Sequence, residues 1–231
     1  IARGEWIAFF DADDVLTEDG LQILCRTSRD FPGCGWISAD FVVWSEDGSL
    51  EPSSFYSSRP IPKKYFEPAF VKRAPIRLER PVCAFLDCCL SKIGANLIRL
   101  DLIRAAGSFD PELRMAEDHQ LYVRLARLSD LVFVPETILL YRQHDANLTK
   151  ADVPPGLWTI RAFSRLLGER GMRKYRREIF EVISMHYLSN SDYYRNKGSS
   201  LNAVLASISA IYHMPSSRKA WRALAGSLLG R

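Results

Sequence analysis

Nowhere in this 231-residue sequence do about 18 apolar residues run consecutively, so no segment reads as a membrane-spanning helix. Nor does a basic, then apolar, then small-residue pattern open the chain, so no secretory signal is expected and the setting reads as cytoplasmic. Cysteine is sparse and unpaired in pattern: Cys25, Cys34, Cys83, Cys88 and Cys89 form an odd set without C-x-x-C spacing. That excludes a zinc ribbon and a disulfide framework, and leaves buried free thiols as the expectation. There is no internal repeat. An initiating Met is also missing: the chain opens on Ile1 and reaches a strand-like run within six residues, as though it were the later part of a longer protein.

What is present is ordinary globular material, 47% hydrophobic and 25% charged, enough for a sizeable core. Charge is unevenly placed. Residues 151–231 hold 13 Lys+Arg against 5 Asp+Glu, a net of +8, whereas residues 1–150 hold 18 against 22, a net of −4. The chain therefore divides into an acidic portion, 1–150, and a basic tail, 151–231.

The most informative stretch is Trp6-Ile7-Ala8-Phe9-Phe10-Asp11-Ala12-Asp13-Asp14, where an aromatic apolar run stops at three carboxylates. Its length and composition predict a buried central strand of a parallel or mixed sheet. Acids at the C-terminal end of such a strand stand where open α/β sheets bind ligands. Asp11 and Asp13 share a parity that could aim both at one divalent cation bridging phosphates, which needs one or two protein carboxylates. A plainer reading makes Asp14 or Thr17 the cap of a following helix. An EF-hand is excluded, because Leu16 and Gln22 occupy the positions that require Gly and Glu.

Further along, a helix is expected over residues 18–30, ended by Pro32-Gly33, and a strand over Trp36–Trp44 with a turn at Glu46-Asp47-Gly48-Ser49. Six prolines fall between residues 51 and 82, which predicts a long loop over a site. Asn96–Leu100 reads as a strand leading to a helix closed by Gly107. Glu117-Asp118 open another helix, where its dipole favours acids. Leu131–Val134 is expected to be a strand halted by Pro135, with a second at Ile138–Tyr141. Beyond Pro154-Pro155-Gly156 the pattern is helical. The last helix, around Trp221, Leu224 and Leu228 with Arg218, Lys219 and Arg222, has the character of a basic amphipathic segment able to lie on an anionic membrane; a solvated helix packed on its own domain is the alternative.

Taken jointly, the opening segment, then Gly107-Ser108-Phe109-Asp110-Pro111-Glu112-Leu113, Glu117-Asp118-His119-Gln120-Leu121, Arg124-Leu125, Pro135 and Tyr141-Arg142-Gln143-His144, resemble the glycosyltransferase family 2 pattern in order and spacing. The resemblance covers roughly residues 1–150. It implies an α/β GT-A fold, a Rossmann-like mixed sheet lacking its first strands, followed by the helical tail. The implied activity is inverting transfer of a hexosyl-type sugar from a nucleotide-diphosphate sugar donor to a glycan or lipid-linked acceptor, as in cell-surface polysaccharide biosynthesis, with no nucleic-acid partner. Asp118 would be the general base with Glu117 beside it. Asp11, Asp13 and His144 would hold a Mn or Mg cation, and Arg142 and His144 would meet the diphosphate. His119, His186 and His213 match nothing in the pattern. A haloacid-dehalogenase-like phosphatase also places D-x-D at a strand end, but Val15 stands where it has Thr, and no later G-D-x-x-x-D follows. A non-catalytic binding fragment is the remaining alternative.

Overall fold

A computed structural model describes residues 2–45, 47–51, 54–145, 147 and 152–229. The chain is mixed α/β, with a curled mixed sheet and C-terminal helices. It forms two compact units: Ile1–Asp110 with Leu121–Lys150, and Pro111–Gln120 with Ala151–Arg231. The segment around Glu117-Asp118 thus counts with the second unit, where the sequence grouped it with the first.

The first unit contains the sheet, in the order β1 (Trp6–Ile7), β5 (Asn96–Arg99), β3 (Trp36–Ser45), β6 (Leu131–Gln143), β2 (Val15–Leu16), with β4 (Ile76–Leu78) also on β6. Among the described residues only β3 and β6 run parallel; the other pairs are antiparallel. β3 is the buried centre, as its run of aromatic and β-branched residues requires. Trp36 is fully buried, its ring stacked 4.9 Å from Phe85 and 5.4 Å from Tyr122, and its indole N–H donates to Asn96 Oδ1 at 2.8 Å.

Three expectations are corrected here. The opening run is not a central strand: β1 has two residues, lies at a sheet edge and is only half-buried. Its aromatics are spent otherwise, Phe9 packing edge-on against Phe109 at 4.9 Å while Phe10 stays exposed. The proline-rich segment is not a loop but carries α2 (Phe55–Ser58), α3 (Pro60–Lys72), β4 and α4 (Val82–Asp87). Pro60 and Pro62 stand in the first turn of α3, where a missing N–H costs nothing. Pro68 sits inside that helix, held by a buried face on which Phe66 stacks 3.7 Å from Phe133. Pro135, finally, does not halt a strand. β6 runs through it because the β3–β6 register shifts around Asp40, and a bulge removes the need for the proline N–H. The turn after β3 closes with Ser45 N–H donating to Ser49 O at 2.8 Å, although Glu46 and also Pro52 lie outside the described residues.

Helices α1 (Gly20–Asp30), α5 (Leu100–Ala105) and α6 (Glu117–Leu128) fall where periodicity placed them. Gly107 ends the α5 segment at φ 86°, a left-handed conformation that favours glycine. Of the cysteines only Cys34 is buried; Cys25, Cys88 and Cys89 are half-buried and Cys83 is exposed, which corrects the expectation of buried thiols throughout. Burial pushes the Cys88 thiol up to about 12, so it is inert.

The second unit is helical: α7 (Leu157–Leu166), α8 (Arg176–Asn196), α9 (Ser200–His213) and α10 (Arg218–Leu228). Small residues let α8 and α9 approach closely and antiparallel. Ser184 Oγ donates to Ala210 O at 2.9 Å and Ser191 Oγ to Ala203 O at 3.0 Å. Gly156, just before α7, donates its N–H to Asn190 Oδ1 at 2.7 Å and lies so near α8 that a Cβ would stand 2.4 Å from the His186 carbonyl oxygen. Only glycine fits there.

Candidate active site

Residues 8–14 carry the chain from one edge strand, β1, to the other, β2. The turn is closed by Asp14 N–H donating to Asp11 O at 3.2 Å. Hydrogen bonds and ion pairs set the three carboxylates against the end of β6 and the segment just before β5.

Each acid takes a different partner. Asp13 Oδ2 lies 2.9 Å from His144 Nε2, and this hydrogen bond holds the Asp13 carboxyl below its usual range. His144 is itself fixed by its backbone N–H, which donates to Asn147 Oδ1 at 2.6 Å. Asp11, half-exposed, meets Lys92 Nζ at 3.4 Å. Asp14 is buried: its Oδ1 accepts the Arg142 N–H at 3.1 Å, while Oδ2 has no hydrogen bond among the described residues and lies 4.0 Å from Lys92 Nζ. Burial pushes the Asp14 carboxyl up to about 6.

Lys92 is thus the cation of the cluster, its ammonium 3.8 Å from the centre of the Tyr141 ring in addition to its two acids. The sequence offered little sign of it, since a single lysine beyond an apolar run has no motif. Gly94 gives the nearest hint, because a Cβ there would stand 3.0 Å from a Leu139 methyl and 3.5 Å from Asp14 Oδ2. Arg142 places its guanidinium 5.4 Å from the Trp44 ring centre, in register across β3 and β6.

Among the described residues no three His, Cys, Asp or Glu side chains are grouped to hold a metal ion. Asp13 and His144 are brought together, and Asp11 is engaged by Lys92 instead of joining them. The contact between Asp13 and His144 is itself a hydrogen bond, which a cation bound between them would replace.

Glu117 and Asp118 begin α6 and are half-buried. Asp118 Oδ1 accepts the His119 N–H at 2.7 Å, and His119 in turn packs edge-on to Phe163 at 4.9 Å. The residue that launches this helix, Ala116, has φ 60°, a left-handed conformation that costs an alanine on the order of 1–2 kcal/mol. Strain of this kind persists where the surroundings over-determine it, commonly beside functional groups. No protein-family model matches the chain, and no curated protein matches it.

Proposed function

We propose that the chain carries the transfer chemistry of an inverting, metal-assisted glycosyltransferase with a GT-A fold, acting on a nucleotide-diphosphate sugar. The observation that supports this reading most is the loop where Asp13 meets His144 at 2.9 Å beside the Lys92 ammonium. Such an arrangement suits a diphosphate, which brings its own oxygens to complete a cation's shell. Asp13 and His144 would hold a divalent Mn or Mg, which would supply Lewis-acid stabilisation of the leaving diphosphate. Arg142 adds a guanidinium for phosphate oxygens.

Asp118 is the proposed general base, with Glu117 shaping its surroundings. The acceptor hydroxyl oxygen forms a bond to the anomeric carbon from the face opposite the diphosphate. The bond from that carbon to the diphosphate oxygen breaks, the electron pair leaves with the nucleoside diphosphate, and the hydroxyl proton passes to the Asp118 carboxylate. Configuration inverts. The acceptor is a glycan or a lipid-linked sugar, reached from the cytoplasmic side.

The test uses the purified protein, a panel of nucleotide sugars with Mn²⁺, and Asp118→Asn. Donor binding by calorimetry should persist in the variant while transfer or donor hydrolysis falls about 10²- to 10⁴-fold, the usual contribution of a general base. Turnover at the wild-type rate would sink the base assignment and turn attention to Glu117. Hydrolysis of p-nitrophenyl phosphate without any nucleotide-sugar binding would favour the phosphatase reading instead.

A further inference from the structure

The second unit carries a surface that the transfer reading leaves unused. Helices α8 and α9 are antiparallel, as the Ser184–Ala210 and Ser191–Ala203 bonds show, and α10 returns along α9, its Ser227 hydroxyl 3.3 Å from that of Ser191. The start of α8, the end of α9 and the start of α10 therefore lie at one end of this unit. Arg173 and Lys174 in the turn just before α8, and Arg176 and Arg177 at its start, are exposed. Arg218, Lys219 and Arg222 are exposed in the first turns of α10, which has no acid there. A helix N-terminus is the positive end of its dipole; at α8 Glu178 stands in the first turn and Arg177 pairs with Glu181 at 3.2 Å, whereas the α10 cations meet no such acid, oppose folding and call for another reason.

Apolar exposure accompanies the charge. On α9, Leu201, Leu205, Ile208 and Tyr212 follow at spacings of four, three and four, one helical stripe, and their exposures run from 49% to 78%. Trp221, 54% exposed, stands among the α10 cations, its indole N–H tied to Pro215 O at 2.9 Å. An exposed Tyr and Trp, amphipathic rings suited to an apolar–water boundary, thus sit at the basic end. A nucleic acid would use the cations and leave the leucine stripe wet. A bilayer with anionic headgroups uses both. No helix among the described residues is long and apolar enough to cross a membrane, so the contact is one of lying on the surface.

We propose that the helical unit docks on anionic lipid bilayers, its basic end meeting the headgroups and the α9 stripe with Tyr212 and Trp221 entering the acyl boundary. The experiment is co-sedimentation of the full chain with vesicles of phosphatidylglycerol and phosphatidylcholine, against phosphatidylcholine alone. The chain should bind the anionic vesicles, not the neutral ones, and be released as salt shortens the screening length. Each Lys or Arg near such a surface is worth about 1 kcal/mol, so Arg218→Gln/Lys219→Gln/Arg222→Gln together should cut partitioning on the order of a hundredfold. Leu205→Glu/Ile208→Glu should abolish it; all five positions are exposed, and circular dichroism checks that the helices persist. No binding to anionic vesicles, or binding indifferent to the charge variant, overturns the proposal. So does loss with the charge variant but none with the stripe variant, which would leave only a polyanion site. Concentration-dependent dimerisation abolished by the stripe variant, without vesicle binding, assigns the stripe to a second copy and overturns it equally.

Discussion

The acidic loop of the first unit and the basic end of the second both gather like charges, and they treat them in opposite ways. In the loop the acids are answered one by one, though only Asp14 is buried: Asp13 by His144, Asp11 by Lys92, and Asp14 by a backbone N–H with Lys92 behind it. At the basic end, Arg218, Lys219 and Arg222 point to water among exposed apolar side chains. Enclosed, partnered charge suits a small ligand that can replace one partner at a time. Outward, unanswered charge suits an extended surface. The same chemical change, neutralising one cation, should then have opposite effects on stability in the two places.

Lys92→Gln should show the largest effect. Removing the ammonium takes from the buried Asp14 carboxylate the cation that the described residues place beside it, and ends the contact with Tyr141. Breaking a buried charge pair costs several kcal/mol, and the long 4.0 Å separation puts this one at the lower end, about 3 kcal/mol or slightly more. Urea unfolding at neutral pH should show it as a lower midpoint with an unchanged slope. Adding Asp14→Asn should recover most of the loss. Simple additivity of the two changes would mean that Lys92 is not the counter-charge of Asp14 and would blur the contrast with the basic end.

Asp40 sharpens the comparison from inside the first unit, because it is a buried carboxylate remote in sequence from the acidic loop. It sits at the β3 irregularity, its Oδ1 accepting the N–H of Phe41 at 2.8 Å and of Tyr56 at 3.2 Å, and burial pushes its carboxyl up to about 6. A folded-state pKa above the unfolded value means that the native state binds more protons. The stability this contributes is fully present below about pH 3.9 and is lost as pH rises through about 6. The distance between those two values is worth about 3 kcal/mol at most. Asp40→Asn should accordingly flatten the decline of unfolding free energy between about pH 4 and pH 7, measured by urea midpoints. A slope as steep as wild type would show that Asp40 does not titrate there.

What was legible in the sequence follows from how local each cause is. The β3 strand, α1 and α6 announce themselves through residues that act on their neighbours, and Gly107 through a backbone conformation that favours glycine. Pro68 and Pro135 misled because partners far along the chain decide their fate: the Phe66–Phe133 stack in one case, the register shift at Asp40 in the other. At the candidate site, Asp11, Asp13 and His144 stood out by motif. Lys92 did not, since the acid nearest its ammonium is 81 residues away in sequence and only folding joins them.

The smallest effect is expected at the basic end, and its sign matters more than its size. Arg218 and Lys219 occupy the first turn of α10, whose positive dipole end is capped by Ser217, with Oγ accepting the Ala220 N–H at 3.3 Å. A cation in that turn is unfavourable by roughly 0.3–1 kcal/mol at low ionic strength. Both side chains are exposed, and among the described residues neither has an ion-pair partner within 4 Å. Arg218→Gln/Lys219→Gln should therefore stabilise the fold by about 1 kcal/mol in low salt, with the gain fading as salt is raised. Lys92→Gln should destabilise over the same salt range, because its carboxylate is shielded from solvent ions. Thermal or urea unfolding of both variants at low and high salt reads the difference directly. If the α10 variant is also destabilised, its cations are held by contacts within the fold, and the distinction between enclosed and outward charge fails.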